Sequence, residues 1–190
     1  RRSSRETRLI PTIPSSITSQ QKEMFDIYME TKGNKPDVFG ENIYAGTPGG
    51  GQYTDYEIPP DALSDERFAA MIAEAEKYLG YPYVWGGNSP STSFDCSGFV
   101  CWVINQSGVG NVGRTTAQGI FNYTTPIAPS EAKPGDIIFF TGTYDSGSAV
   151  SHVGIYVGNG MMIHCGNPIS YASVNTPYWQ QHFYAYGRLS

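Results

Sequence analysis

The order in which apolar periodicities follow one another constrains this chain's fold more than any other feature. Phe68, Met71, Ile72, Ala75 and Leu79 recur at helical spacing, with Ser64 as N-cap, Asp65 and Glu66 in the first turn and Gly80 at the end. A second helix is predicted over 96–106, where Phe99, Val100, Trp102, Val103 and Ile104 make it apolar nearly all round and therefore buried. A short helix near 115–123 follows. Beyond it the period changes. The turn Lys133-Pro134-Gly135-Asp136 feeds a strand over 137–141, and a second strand covers 152–157. Asn159-Gly160 makes a tight hairpin turn into 161–165, and a last strand lies at 183–188. Helices first and an antiparallel sheet afterwards define an α+β domain, with N-terminal helices packed on a central sheet.

Residues 1–65 have a different character. Pro11, Pro14, Pro36, Pro48, Pro59 and Pro60 are scattered through them, together with Gly49-Gly50-Gly51. Only a stretch near 20–31, with Met24, Phe25, Ile27 and Tyr28 on one side, reads as a short helix. This part cannot build a core alone, so it is expected to be an extended linker or strap, with the main domain at 66–190. The 190 residues suit one domain with such an appendage. Twelve Lys and Arg against 17 Asp and Glu give a net charge of −5. The first eight residues hold Arg1, Arg2, Arg5, Arg8 and Glu6, so the remainder carries (12 − 4) − (17 − 1) = −8. An acidic body argues against nucleic acid as a partner. No apolar run is long enough to span a membrane, no signal peptide is visible, and a monomer is expected.

Three cysteines, Cys96, Cys101 and Cys165, are a poor disulfide framework. Cys96 opens the second helix, where unpaired N–H groups and the helix dipole favour a thiolate and can hold an oxyanion. Asp95 and Ser93 both suit the cap, and Gly98 is expected to keep the first turn open to substrate. Position alone is modest support, because a cysteine in an apolar helix is more often inert packing. Cys101 reads as core, and Cys165 as core-facing.

Of the three histidines, His152 and His164 lie on neighbouring strands of one hairpin. The Asn159-Gly160 turn places 152 opposite 166–167, so the two rings are near neighbours on one face without being directly opposed. Gly154 leaves room beside them, and His182 reads as a surface residue. A zinc site is the other reading of a Cys/His/His trio, but no Cys-x-x-Cys or His-x-x-x-His pair nucleates it. No metal and no cofactor are expected.

Five segments then come in a telling order: Tyr83-Val84-Trp85-Gly86-Gly87, Phe94-Asp95-Cys96-Ser97-Gly98-Phe99-Val100, Pro134-Gly135-Asp136-Ile137-Ile138-Phe139-Phe140, Ser151-His152-Val153-Gly154-Ile155-Tyr156 and Met162-Ile163-His164. Together they resemble the NlpC/P60 family of cell-wall cysteine peptidases. The resemblance implies a papain-like fold and hydrolysis of peptidoglycan stem peptides between D-γ-glutamate and meso-diaminopimelate or L-lysine. It implies Cys96 as nucleophile, His152 as general base and His164 as the residue orienting it, with a thioester intermediate. It further implies substrate contacts from Tyr83, Asp95, Ser97, Trp85 and the Arg114-Thr115-Thr116 segment, and an extracellular or wall-associated place of action. Cys165 departs from the small residue usual at its position, and residues 1–65 match no recognised binding module. The alternatives are an N-acetylmuramoyl-L-alanine amidase, an acyltransferase on a related fold, and a non-enzymatic wall-binding module.

Overall fold

A computed structural model describes residues 56–190. The short helix expected near 20–31, and most of the strap, lie outside the described residues.

Helix α1 covers Glu66–Ala75 and buries Phe68, Met71, Ile72 and Ala75, the predicted face. Its cap is Asp65 rather than Ser64: the Asp65 carboxylate accepts from the N–H groups of Arg67 and Phe68, while Ser64 donates to the Asp61 carbonyl. Asp65 has the extended backbone that a capping residue needs. Leu79 lies past the helix, behind a 3-10 turn at Glu76–Tyr78. Strands β1 (Asn88–Ser89) and β2 (Ser93–Phe94) form a small ribbon that delivers the chain into α2 at Cys96–Gln106. Helix α3 covers Ala117–Tyr123, capped by Thr116.

The main sheet is antiparallel and has six strands in the order β3-β8-β4-β5-β6-β7. These are β3 (Thr125–Ile127), β4 (Ile137–Phe140), β5 (His152–Gly158), β6 (Met161–Cys165), β7 (Ile169–Ser173) and β8 (Phe183–Arg188). The β5–β6 turn is built as the sequence predicts: Asn159 and Gly160 both have positive φ, 52° and 69°, the backbone a primed hairpin turn requires. The strand β7 and a short helix α4 at Pro177–His182 were not part of the sequence expectation.

Strand alternation sorts side chains onto two faces. Val153, Ile155, Val157, Ile163 and Cys165 join α1 and α2 in the larger core. Phe140, Met162 and Trp179 form a second cluster on the other face. The described end of the strap is part of the domain: Ile58 is buried in the larger core, and the Tyr56 ring lies 5.4 Å from that of Tyr171.

Candidate active site

Asp95 organises the start of α2. Its side chain accepts from Gly98 N at 2.7 Å, Gly86 N at 3.0 Å and the Ser97 hydroxyl at 3.2 Å. Arg114 Nη2 reaches both carboxylate oxygens at 2.8 Å. Arg114 Nη1 donates to Ser97 Oγ at 2.8 Å and to the Thr115 carbonyl at 2.7 Å. One fully buried carboxylate thus caps the helix, anchors the preceding loop and is neutralised by one guanidinium. Ser93 takes no part in the cap; its hydroxyl donates to the Pro82 carbonyl. Gly98 does not hold a space open for substrate. A Cβ there would collide with the Gly87 carbonyl, so this glycine lets the helix start pack directly on the 86–87 turn.

Cys96 is 4% exposed. Burial pushes its thiol up to about 12, the Asp95 carboxylate adds to the rise, and Arg114 with backbone hydrogen bonds at Ser97 and Val153 opposes it. The expectation of a resting thiolate is therefore corrected: loss of water outweighs the favourable helix end. Val153, which follows His152 on β5, is near enough to act on the Cys96 sulfur.

His152 Nε2 and His164 Nδ1 are 2.9 Å apart, and both side chains are fully buried. Gly154 lies directly opposite His164 across the hairpin. A Cβ on it would come within 3.1 Å of the His164 Cβ, so the room beside His152 is the room His164 occupies. Burial lowers His152 well below the usual imidazole value, with further lowering from His164. Burial holds His164 at about 3. Both rings are neutral at pH 7, and the pair shares one proton in a single hydrogen bond.

A small cleft opens over Cys96, lined by Tyr83, Trp85, Asp95, Ser97, Thr116, Ala117, Tyr144, Ser146, Ser148 and Val150. Of the expected substrate contacts, Tyr83, Trp85, Asp95, Ser97 and Thr116 reach it, whereas Thr115 does not. Tyr144 is the largest of the contributors that sequence reasoning missed, with Ala117, Ser146, Ser148 and Val150. It stands edge-on to Trp85 at 6.1 Å, on the loop between β4 and β5 that carries no recognisable motif. Cys101 and Cys165 are buried and, like Cys96, free. Cys165 Sγ contacts the Phe94 carbonyl at 3.3 Å. His182 is half-buried rather than a surface residue, and its Nδ1 donates to the Thr141 carbonyl at 2.8 Å. Among the described residues no group of three His, Cys, Asp or Glu is placed to hold a metal ion.

An α+β fold thus holds a buried cysteine at a helix start and a hydrogen-bonded pair of histidines on one antiparallel hairpin. Residues 80–188 match the model of the NlpC/P60 family, and the chain belongs to that family. It is 42% identical over 137 residues to the bifunctional muramidase/DL-endopeptidase CwlT of Bacillus subtilis (strain 168), an alignment covering 72% of this chain and 41% of CwlT. It is 47% identical over 120 residues to the probable endopeptidase p60 of Listeria seeligeri, covering 63% of this chain and 22% of that protein. The chain therefore spans less than half the length of these curated relatives. A crystal structure of an NLP/P60 family lipoprotein-like protein from Staphylococcus aureus superposes with a TM-score of 0.63 at 32% identity, covering 90% of this chain and 62% of that one.

Proposed function

We propose that this protein is a cysteine peptidase that hydrolyses peptidoglycan stem peptides at the D-γ-glutamyl–diamino acid bond. The observation that carries the reading is the His152–His164 hydrogen bond at 2.9 Å, beside a buried Cys96 that lines the cleft at the start of α2. The DL-endopeptidase name of the Bacillus relative supports the substrate class and the bond.

His152 Nε2–H donates to His164 Nδ1, which fixes the tautomer with a lone pair at His152 Nδ1. That nitrogen takes the Cys96 proton as the sulfur attacks the γ-carbonyl carbon of D-glutamate. A thiol held near 12 beside a neutral imidazole ionises during attack rather than before it. The carbonyl oxygen becomes an oxyanion, received by the Cys96 N–H at the first position of α2, which has no partner within the helix. The C–N bond then breaks, the diamino acid amine leaves with the proton from His152, and a thioester remains. Water, deprotonated by His152, hydrolyses the thioester and returns the thiol. Asp95, Ser97, Tyr83, Trp85 and Thr116 line the cleft and meet the stem peptide. A peptidoglycan substrate is consistent with action outside the cell or at the wall. No helix among the described residues is long and apolar enough to cross a membrane.

The test is mass spectrometry of defined muropeptides after digestion. The proposal expects new diamino acid N-termini with the wild type and none with Cys96→Ala. New L-alanine N-termini would assign an amidase instead. Binding without products would assign a wall-binding module.

A further inference from the structure

One aromatic side chain touches both rings of the histidine pair and belongs to no motif. Trp179 sits in the middle of α4 and is 1% exposed. Its ring stacks on His152, with centroids 5.3 Å apart and planes 24° apart. It meets His164 edge-on, at 5.3 Å and 86°. The two imidazoles are themselves nearly perpendicular, at 84°. One flat indole therefore lies face-on to one ring and nearly square to the other, and packs against both. Phe140 backs the indole at 4.5 Å. The helix is fixed at both ends. Thr176 caps it by accepting from Trp179 N. At its other end, the Thr141 N–H donates to the His182 carbonyl at 2.7 Å, and His182 Nδ1 returns a bond to the Thr141 carbonyl.

We propose that Trp179 is a positioning residue for the reaction: its indole clamps the His152 ring in the plane where it can both hydrogen-bond His164 and face the nucleophile. The stack matters because χ2 of a histidine is broad. A face packed against the imidazole removes that freedom and keeps water from the pair. This inference rests on His152 being the base. The titratable and charged groups on the elements around the pair include Cys96 with its cap Asp95 on α2, Tyr156 on β5, Cys165 on β6, and Tyr178 and His182 on α4.

The experiment compares the full-length wild type with Trp179→Met, which fills space without a flat face, and Trp179→Phe, which keeps a smaller one. kcat and KM are measured on a soluble muropeptide from pH 4 to 9, per molecule alkylatable at Cys96, so that misfolded protein is not counted. The expected result for Trp179→Met is a kcat loss approaching about 100-fold, the scale of a 1 Å misplacement, with KM little changed. Its acidic limb is expected to move to higher pH, because water readmitted to His152 raises its pKa. Trp179→Phe should fall between the other two in both respects. If Trp179→Met accumulates no folded protein, the acidic limb of Trp179→Phe decides alone. Wild-type kcat and an unmoved limb in the folded variants overturn the proposal. His152→Ala separates the two levels. If it is inactive while the Trp179 variants behave as wild type, only the role of Trp179 falls; if it retains activity, the base assignment falls and this inference with it.

Discussion

Arg114→Met would test how the start of α2 is held. The guanidinium makes four hydrogen bonds: two at 2.8 Å to Asp95, one at 2.8 Å to Ser97 Oγ and one at 2.7 Å to the Thr115 carbonyl. The Arg114 and Asp95 side chains are only 16% and 1% exposed. Methionine keeps much of the side-chain volume and removes the charge. Breaking a buried pair from one side costs about 3–5 kcal/mol, because the other charge stays buried without compensation. Asp95 keeps three other donors, Gly86 N, Gly98 N and Ser97 Oγ, which puts the expected cost at the lower end, about 3 kcal/mol. With a urea m-value of about 1–3 kcal/mol/M, the unfolding midpoint should drop by roughly 1–3 M. Asp95→Asn combined with Arg114→Met should recover part of that loss, since no lone charge remains, giving a coupling of at least about 1 kcal/mol in the double-mutant cycle. A loss below about 1 kcal/mol, the worth of a surface ion pair, together with negligible coupling, would refute this account of the pair.

Three further outcomes are expected. Cys96→Ala should remain folded and lose all cleavage, read by the digestion assay; residual turnover at the wild-type rate would remove Cys96 from the chemistry. His164→Asn should flatten the pH dependence of stability. The native state holds His164 at about 3 while the unfolded chain takes up that proton near 6.5. Protonation thus favours unfolding as pH falls from about 6.5 toward 3, by up to about 1.4 kcal/mol per pH unit. The variant should lose correspondingly less between pH 6 and pH 4 in urea melts, and parallel curves would contradict the buried neutral assignment. Gly98→Ala improves helix propensity by about 1 kcal/mol but drives a methyl into the Gly87 carbonyl. Overpacking of about 1–3 kcal/mol or more should win, and a thermal melt showing a stabilised variant would show that the loop yields.

The elements with a clean period were legible in the sequence. Helix α2 runs over the predicted residues, and strands β6 and β8 have the predicted bounds. The hairpin offset of His152 from His164 follows from one turn dipeptide, and the pairing of Gly154 with His164 agrees with it. The motif segments were enough to bring Cys96 and Tyr83 to one cleft and to pair the two histidines. Other features left little trace. Helix α4 has six residues, too few for a period to show, although Thr176-Pro177 is a helix-start signature. Strand β7 follows a turn at Asn167-Pro168 and has no marked alternation. The Asp95–Arg114 pair joins residues 19 apart through a loop, and Trp179 meets histidines on two strands, so neither contact has a local pattern. The thiol's high pKa was missed for another reason: a helix end is visible in a sequence, whereas the depth of burial around it is not.

His164 and Cys165 are consecutive residues on β6, one facing the histidine pair and the other the Phe94 carbonyl in the main core. A strand reverses its faces at every residue. Deleting a single residue from the Asn159-Gly160 turn would, if pairing adjusted to it, put the Cys165 thiol opposite Gly154 in place of the His164 imidazole, and inserting one would put Ile163 there. The length of that turn therefore acts as a reading frame for the chemistry, and it guards the identity of the partner group as strictly as the side chains themselves do.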